Sequence, residues 1–238
     1  MPNLAPPLDC SPAAAAREGT PLLVRYLGRV PYGEGLRIQE ELVESRQRGE
    51  TDTLLLLEHP RVVTLGRGAN PGHLLMTREE MRRRGVEVFE TGRGGDVTYH
   101  GPGQLVGYPI LLLPPSRRDL HRLLRDVEEV LLGVASDFAI EAQRVEGLTG
   151  IWVGREKLAA IGMRVSRWVT SHGFALNVST DLSGFDLIVP CGIRGRGVTS
   201  LSRLLGREVA MREAAVSAAR HFARVFGYAP ARLEESHA

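Results

Sequence analysis

Short apolar runs that end at glycine or proline recur along the chain, and this pattern constrains the fold more than any other feature of the sequence. Apolar clustering or alternation predicts strands at 22–26, 53–58, 62–65, 86–90, 105–113, 151–165 (a hairpin) and 174–178. Helical spacing and caps predict helices at 32–48, 77–84, 116–138 and 211–226. Because the strands often follow one another and do not alternate regularly with helices, we expect an α+β fold, a mixed β-sheet core flanked by helices.

Several local signals refine this expectation. Thr77 with Glu80 forms a capping-box pattern at the start of the second helix. The hairpin at 151–165 is expected to turn at Gly154 and Arg155. The apolar face of the third helix begins at Leu120, and that of the last helix is expected to comprise Ala215, Val216, Ala219, Phe222 and Phe226.

The organisation along the chain is simple. Of the 238 residues, 1–20 are rich in proline and alanine and predict a flexible N-terminal tail. Residues 21–230 show no internal linker or repeat and predict a single domain, followed by a short C-terminal tail at 231–238. We find no export signal and no apolar stretch of membrane-spanning length, so we expect a cytoplasmic protein with free thiols.

Composition excludes several kinds of site. Of the 30 basic residues only Lys157 is a lysine, and it follows Glu156, so a phosphate-binding loop of the Gly-Lys type is absent. The two cysteines, Cys10 and Cys191, are too few for a cysteine-rich zinc site or a disulfide framework. No histidine spacing typical of a metal site occurs, so we expect neither a metal nor another cofactor.

A glycine-rich stretch at 93–104 is the first candidate site. Its glycines let the backbone approach a ligand, and Arg93 and His100 add a fixed charge and a titratable group. The spacing is not that of a dinucleotide-binding fingerprint, and no helix follows. A surface loop with turn glycines is the plainer interpretation.

Lys157 is the second candidate, at the start of a strand of small residues. Regular alternation would place its side chain on one face with Ala159, Ile161 and Met163, and Ala160 on the other. A solvated turn lysine is the plainer alternative. However, a chain that otherwise uses arginine can need at this point a compact cation that is able to lose its proton.

Cys191 is the third candidate, because an apolar run delivers it to a turn bracketed by Pro190 and Gly192, near Arg194 and Arg196. Nearby arginines favour the reactive thiolate, whereas a buried structural cysteine is the common alternative. His59 precedes Pro60 at a strand end and could face the same site, and His172 lies before a strand with small residues that could line a pocket.

At these segments the chain resembles the octanoyltransferases of lipoate biosynthesis, the lipoate-protein ligase B family. The resemblance covers about residues 21–228. It rests on the segment 93–104 (RGGDVTYHGPGQ), 157–162 (KLAAIG), 171–177 (SHGFALN) and 190–192 (PCG), with 58–60 (EHP) and 64–67 (TLGR) as further features.

The resemblance implies the fold of biotin protein ligases and lipoate ligases, which is related to class II aminoacyl-tRNA synthetases. It implies transfer of an octanoyl group from octanoyl-acyl carrier protein to a lysine of lipoyl domains in 2-oxoacid dehydrogenase complexes and the glycine cleavage H protein. Cys191 would be the nucleophile and Lys157 its activating partner. The octanoyl group would be bound by Arg93, Gly94, Gly95, Asp96, Val97, Thr98, Tyr99, His100, Ala160, Ile161, Gly162, Gly173, Phe174 and Ala175.

Two other functions stay open from the sequence: an ATP-dependent lipoate or biotin ligase on the same fold, and a non-catalytic acyl-binding module. Neither gives a role to the pair Cys191 and Lys157. We expect no nucleic-acid or membrane partner. The acidic carrier protein could meet one of three groups of arginines, namely Arg82 to Arg84, Arg117 and Arg118 with Arg122 and Arg125, or Arg194 with Arg196.

Overall fold

The computed structural model describes residues 19–189, 196–230 and 232–235, and these form two sheets and five α-helices. The strands are β1 (Leu23–Arg29), β2 (Thr53–Glu58), β3 (Val62–Leu65), β4 (Glu87–Glu90), β5 (Val97–His100), β6 (Gln104–Ile110), β7 (Gln143–Val145), β8 (Leu148–Val153), β9 (Glu156–Ser166), β10 (Val169–Asn177), β11 (Gly197–Val198) and β12 (Leu233–Glu235). The helices are α1 (Tyr32–Gln47), α2 (Arg78–Arg83), α3 (Leu120–Asp137), α4 (Leu201–Leu205) and α5 (Met211–Phe226).

The large sheet is mixed, as the sequence predicts. Its strand order is β12-β1-β2-β6-β10-β9-β8-β7, in which β12, β1 and β2 are parallel and the strands from β2 to β7 pair in an antiparallel manner. Next to β9, β11 pairs in parallel with Glu156 and Lys157, beyond the point where β10 ends. The small sheet has the order β4-β3-β5.

Alternation along β2 divides the interior into two layers. Leu54 and Leu56 belong to a main core that the large sheet forms with α3 and α5, whereas Leu55 and Leu57 pack on the other face, against apolar residues of α1. A third cluster lies beneath the small sheet and includes Met81 of α2. The large sheet therefore has helices on both faces, as expected for an α+β domain.

Helix caps explain where the helices begin. The predicted capping box of α2 is present, with Thr77 and Glu80 exchanging hydrogen bonds. The third helix was expected to begin near residue 116, but it begins at Leu120 because the Asp119 side chain accepts hydrogen bonds from the amides of His121 and Arg122. The preceding Pro115–Arg117 segment is a separate 3₁₀ turn.

Three expectations about particular segments need correction. Leu120 and Val216, expected on the buried helix faces, are 52% and 43% exposed. The expected C-terminal tail contributes β12, which pairs with β1. In the glycine-rich stretch, predicted as a loop, Val97–His100 pairs with β3 as a strand.

At the other end of the chain, residues 1–18 of the expected N-terminal tail lie outside the described ranges, whereas Thr20 forms a bridge with Tyr228. Across the residues that the structure describes, the helices are too short or too polar to span a bilayer.

Candidate active site

A cavity lies between the small sheet and the α1 face of β9 and β10, and we call it the main cavity. Its empty volume is about 510 Å³, including the part open to solvent. Twelve of the fourteen residues expected to bind the octanoyl group line it: Arg93, Gly95, Asp96, Val97, Thr98, His100, Ala160, Ile161, Gly162, Gly173, Phe174 and Ala175. The fold therefore brings three segments that are distant in sequence to one cavity.

Gly94 and Tyr99 are not among the residues that line the main cavity. The Gly94 amide donates a hydrogen bond to the Met163 carbonyl, which joins the glycine-rich stretch to β9. Tyr99 is 1% exposed and packs edge-on against Phe185 in the cluster beneath the small sheet. Because Tyr99 follows Thr98 in a strand, its side chain takes the opposite face, which an interpretation of the stretch as a loop could not reveal.

Arg93 anchors the stretch to the small sheet. Its Nε and Nη2 donate to Thr64 Oγ1 at 3.2 and 2.9 Å, and Nη2 also donates to the Thr64 carbonyl at 2.6 Å. Its Nη1 donates to the Gly94 carbonyl. The side chain is 7% exposed, so its charge acts on the cavity largely without screening by water.

The neighbouring Asp96 binds to a second part of the chain. Its carboxylate pairs with His73 and accepts a hydrogen bond from the Asn70 amide. Gly162 shows why glycine is needed where the stretch meets β9, because a Cβ there would lie 2.9 Å from the Gly94 carbonyl oxygen. Contacts to three separate elements thus fix this wall of the cavity.

Aromatic and histidine side chains close one end of the main cavity. Tyr32, Tyr108 and His172, together with Val106, line it in addition to the expected residues. His172 was expected near a pocket, but Tyr108 is hidden within an apolar strand pattern and Tyr32 within the start of a helix. The ring centroids of Tyr32 and His100 lie 6.1 Å apart in a stacked arrangement.

Histidines at this end are held neutral. Burial lowers the pKa of His59 and His172 to about 4, and burial together with the nearby His59 lowers the pKa of His100 to about 3. The Arg93 charge adds to the effect at His172. Burial also raises the pKa of Tyr32 to about 12. At neutral pH these side chains therefore carry no charge, which suits an apolar ligand.

A hydrogen-bonded pair lies behind the cavity wall. His59 is fully buried; its Nδ1 lies 2.7 Å from the Val30 carbonyl oxygen and its Nε2 lies 2.7 Å from the Tyr108 hydroxyl. Since a carbonyl can only accept, Nδ1 carries the proton and the Tyr108 hydroxyl donates to Nε2. His59 thus orients Tyr108 from behind and does not line the main cavity itself.

Lys157 lies in a smaller, adjoining cavity, which we call the lysine cavity, with an empty volume of about 310 Å³ that includes the part open to solvent. Thr98, Ala160 and Ala175 line both cavities, so the two are contiguous. The Lys157 side chain is 8% exposed, and its Nζ lies 4.8 Å from the ring centroid of Trp152. A solvated turn lysine, the alternative considered from the sequence, does not fit this burial.

A β-bulge sets the direction of the Lys157 side chain. Trp152 pairs with Lys157, but the preceding Ile151 pairs with Ala159, so Leu158 is an extra residue in β9. Leu158 and Ala159 both belong to the main core, whereas Lys157 and Ala160 line the lysine cavity. The expectation that Lys157 shares a face with Ala159, opposite Ala160, was wrong because the bulge breaks the alternation.

A chain of buried side-chain hydrogen bonds connects the two cavities. Gln104 Oε1 accepts from His100 Nδ1 at 2.7 Å, and Gln104 Nε2 donates to Asn177 Oδ1 at 2.9 Å. Asn177 Nδ2 donates to the Thr199 carbonyl, and the Thr199 amide donates to the Lys157 carbonyl. This chain fixes the backbone at Lys157 relative to the glycine-rich stretch.

Cys191, the expected nucleophile, and Arg194 lie outside the residues that the structure describes. Arg196 is described, and its guanidinium carbon lies 5.1 Å from the Trp152 ring centroid, on the same indole as Lys157. The basic groups at this edge are therefore close together.

Comparisons with known proteins agree with this arrangement. The lipoyl protein ligase A/B catalytic domain family matches residues 31–223. An octanoyltransferase of Solibacter usitatus is 52% identical over 206 residues, covering 86% of this chain and 93% of the relative. An octanoyltransferase of Myxococcus xanthus is 51% identical over 212 residues, covering 86% of this chain but only 59% of that longer relative.

Solved structures show the same fold at low sequence identity. A lipoate-protein ligase A bound with ATP superposes with a TM-score of 0.73 at 20% identity, covering 92% of this chain and 89% of the other. A lipoate protein ligase of T. acidophilum with bound lipoic acid gives a TM-score of 0.70 at 19% identity, covering 93% and 90%. The expected α+β lipoate-ligase fold is thus confirmed.

The fold and the cavities define a catalytic domain of the lipoyl ligase class. The chain belongs to the lipoyl protein ligase A/B catalytic domain family, in agreement with the resemblance seen in the sequence. Its relatives at about 50% identity are octanoyltransferases, and the chain is an enzyme of the acyltransferase type.

Proposed function

We propose that this enzyme transfers an octanoyl group from acyl carrier protein to a lysine of lipoyl domains through a thioester on Cys191. The observation that carries the proposal is the position of Lys157, the only lysine of the chain, in a cavity contiguous with the main cavity. The walls of the main cavity combine small residues of β9 and β10 with histidine and tyrosine side chains that carry no charge at neutral pH. The octanoyl chain would lie in the main cavity, with its carbonyl group towards Lys157.

Burial makes Lys157 suitable for activating a thiol. A cation about 4 Å from a thiolate stabilises it by roughly 1 kcal/mol in water-like surroundings, but by about 4 kcal/mol at an effective dielectric constant near 20. The first value shifts a pKa by less than one unit and the second by about three. The 8% exposure of Lys157 supports the stronger effect.

In the proposed cycle Lys157 gives up one proton and later takes one back. The Cys191 thiolate attacks the octanoyl thioester, and the bond to the carrier sulfur breaks as the new thioester forms. The Lys157 ammonium gives its proton to the departing carrier thiolate and becomes neutral. It then takes a proton from the attacking lysine amine as the Cys191 thioester is cleaved, and both enzyme groups return to their first state.

Carrier recognition is proposed for the arginines next to the site. In the second group Arg117 is buried, and the exposed Arg118 and Arg125 lie over Trp168 and pair with Glu128, respectively. The arginines of this group do not line the two cavities. Arg82 to Arg84 are exposed on α2 and the residue after it, but they do not line the two cavities. Arg196, on the Trp152 indole beside Lys157, is the position from which a docked acidic carrier could deliver its acyl group.

Intact-protein mass spectrometry tests the nucleophile. Incubation with octanoyl carrier protein should add the mass of one octanoyl group to the wild type and to Cys10→Ala, which is the matched control. The Cys191→Ala variant should gain no such mass. An octanoyl adduct on Cys191→Ala would exclude Cys191 as the acyl carrier, and transfer that requires ATP would identify a ligase of the other kind.

Replacement of Lys157 by arginine tests the proton transfer separately. Lys157→Arg keeps the positive charge but removes a cation that can be deprotonated, since arginine stays charged in proteins. Transfer to a lipoyl domain should fall at least about a hundredfold, in line with general acid–base contributions. Turnover near that of the wild type would contradict the proposed role.

A further inference from the structure

His172 separates the main cavity from another cavity, which we call the α1 cavity. The α1 cavity lies between α1 and the ends of β4, β9 and β10, and its empty volume is about 1,050 Å³, including the part open to solvent. Among the described residues, His172 is the one side chain common to the linings of both cavities. It is 6% exposed, so its ring is a buried partition with empty space on both sides.

The partition is held in a defined position. The backbone of His172 has a positive φ of 54°, in the left-handed region, which most residues avoid. Its amide donates a hydrogen bond to Gln39 Oε1 at 2.7 Å, and Gln39 is itself 3% exposed on α1. The imidazole meets the Tyr108 ring edge-on, with centroids 6.4 Å apart. Contacts from α1 and β6 therefore keep the ring between the cavities.

The distance from the lysine cavity to His172 matches the length of the expected octanoyl chain. Ala175 lines the lysine cavity and lies three residues from His172 along β10. At about 3.3 Å per residue this separation is roughly 10 Å, which is close to the length of an extended octanoyl chain. An octanoyl group with its carbonyl at the lysine cavity would thus place its terminal methyl group against His172.

We propose that His172 determines acyl-chain specificity by forming the end wall of the main cavity. Longer chains are rejected because the imidazole occupies the path into the α1 cavity. The inference rests on the proposed function, since it takes the main cavity as the octanoyl site. Of the other groups at this end, Tyr108 is backed by His59 and Tyr32 packs against Phe89, so neither opens into a second empty space.

Kinetics with acyl donors of three chain lengths test whether His172 forms the end wall. The kcat/KM values of wild type and His172→Gly are compared with octanoyl, decanoyl and dodecanoyl carrier protein; glycine suits the positive φ. The ratio of dodecanoyl to octanoyl kcat/KM should rise at least about tenfold in the variant, since one or more methylene groups then gain a pocket. Ser171→Gly, which changes a neighbour lining only the α1 cavity, is the matched control and should keep the wild-type ratio.

His172→Asn provides a second variant, because asparagine tolerates the left-handed conformation and is shorter than histidine. It should raise the ratio to an intermediate value. If either folded variant retained octanoyl transfer and kept the wild-type ratio of dodecanoyl to octanoyl kcat/KM, His172 would not be the end wall. The proposed function would still stand. Absence of octanoyl transfer by the wild type would instead refute the proposed function.

Discussion

The two faces of the large sheet differ in how they use side-chain volume. On the α3 and α5 face, Phe174 and Leu176 of β10 belong to a continuous core that contains Phe222 and Phe226, although Phe174 also lines the main cavity. On the other face, the same strand presents Ala175, and β9 presents Ala160 and Gly162, so space is left for the main cavity. One strand therefore serves stability on one side and binding on the other, and substitutions on the two sides should have different consequences.

The largest effect is expected on the core face. Phe222 is fully buried and stacks on Phe226 with ring centroids 4.3 Å apart. Phe222→Ala should lower the free energy of unfolding by about 3–5 kcal/mol, because a cavity replaces the ring. Urea denaturation measures this change. Val216→Ala on the exposed side of α5 is the control and should stay within about 0.5 kcal/mol.

Activity measurements on Phe222→Ala provide a second test of the difference between the two faces. The kcat/KM per folded molecule should stay near the wild-type value, since α5 does not line the main cavity. A variant that keeps its stability but loses turnover would show that the two faces do not have separate roles.

The next effect is a dependence of stability on pH that arises on the cavity face. His59, His100 and His172 have pKa values of about 4, 3 and 4 in the fold, against about 6.5 in an unfolded chain. Between pH 6.5 and 4 the unfolded chain binds more protons, so stability is complete above pH 6.5 and is lost as the pH falls. Each histidine adds a slope of up to about 1.4 kcal/mol per pH unit.

Urea denaturation at several pH values, with NMR titration of the imidazoles, measures this slope. His59→Gln should reduce it, because glutamine can still donate to the Val30 carbonyl but does not titrate. His121→Gln, at an exposed position on α3, should leave it unchanged. Titration of all three buried imidazoles above pH 6 would contradict the conclusion that the histidines at this end are neutral.

A smaller effect is expected when the cavity face is filled. Ala175 is 5% exposed and lines both the main and the lysine cavity. Ala175→Leu should lower kcat/KM for octanoyl carrier protein at least about tenfold, because the added carbons occupy the space of the acyl chain. Its stability should fall by less than that of Phe222→Ala, as the new side chain enters empty space.

Ala210→Leu makes the same exchange at an exposed position and should leave both quantities unchanged. If Ala175→Leu kept wild-type kcat/KM, the main cavity would not be the acyl site.

The smallest effect concerns the basic edge beside Lys157. Arg196→Glu should raise the KM for octanoyl carrier protein a few-fold at low salt and less at high salt, since exposed charges are screened. Steady-state kinetics at two ionic strengths checks this, with Arg207→Glu on the exposed segment after α4 as control. Equal KM values for Arg196→Glu and wild type at low salt would place the carrier elsewhere.

Much of the difference between the core face and the cavity face of the large sheet could be predicted from the sequence. The alternation of leucines in β2 and the spacing of Ala215, Phe222 and Phe226 in α5 indicate buried surfaces directly, because one face of each element is apolar. The glycine-rich stretch and the lone lysine are chemically conspicuous, whereas the octanoyl-binding residues at 160–162 and 173–175 were expected from the resemblance to octanoyltransferases.

The remaining features depend on tertiary structure. Val216 is apolar but exposed, since the stripe that α3 and the sheet cover is filled mostly by alanines. Tyr99, expected among the octanoyl-site residues, lies beneath the small sheet because pairing with β3 makes a strand from a glycine-rich stretch. Tyr32 and Tyr108 became cavity residues through packing across elements, which no local pattern records.

The bulge at Leu158 can be considered in terms of the parity of residue numbers. In β9 after the bulge, even-numbered Ala160 faces the cavities and odd-numbered Ala159 the core; before it, odd-numbered Lys157 faces the cavities. Strict alternation through residues 157–160 would have put Lys157 on the core side with Ala159, but the bulge lets Leu158 and Ala159 both face the core. The bulge thus shifts the parity of the strand, and the cation lies on the cavity side of the sheet although an odd-numbered neighbour faces the core.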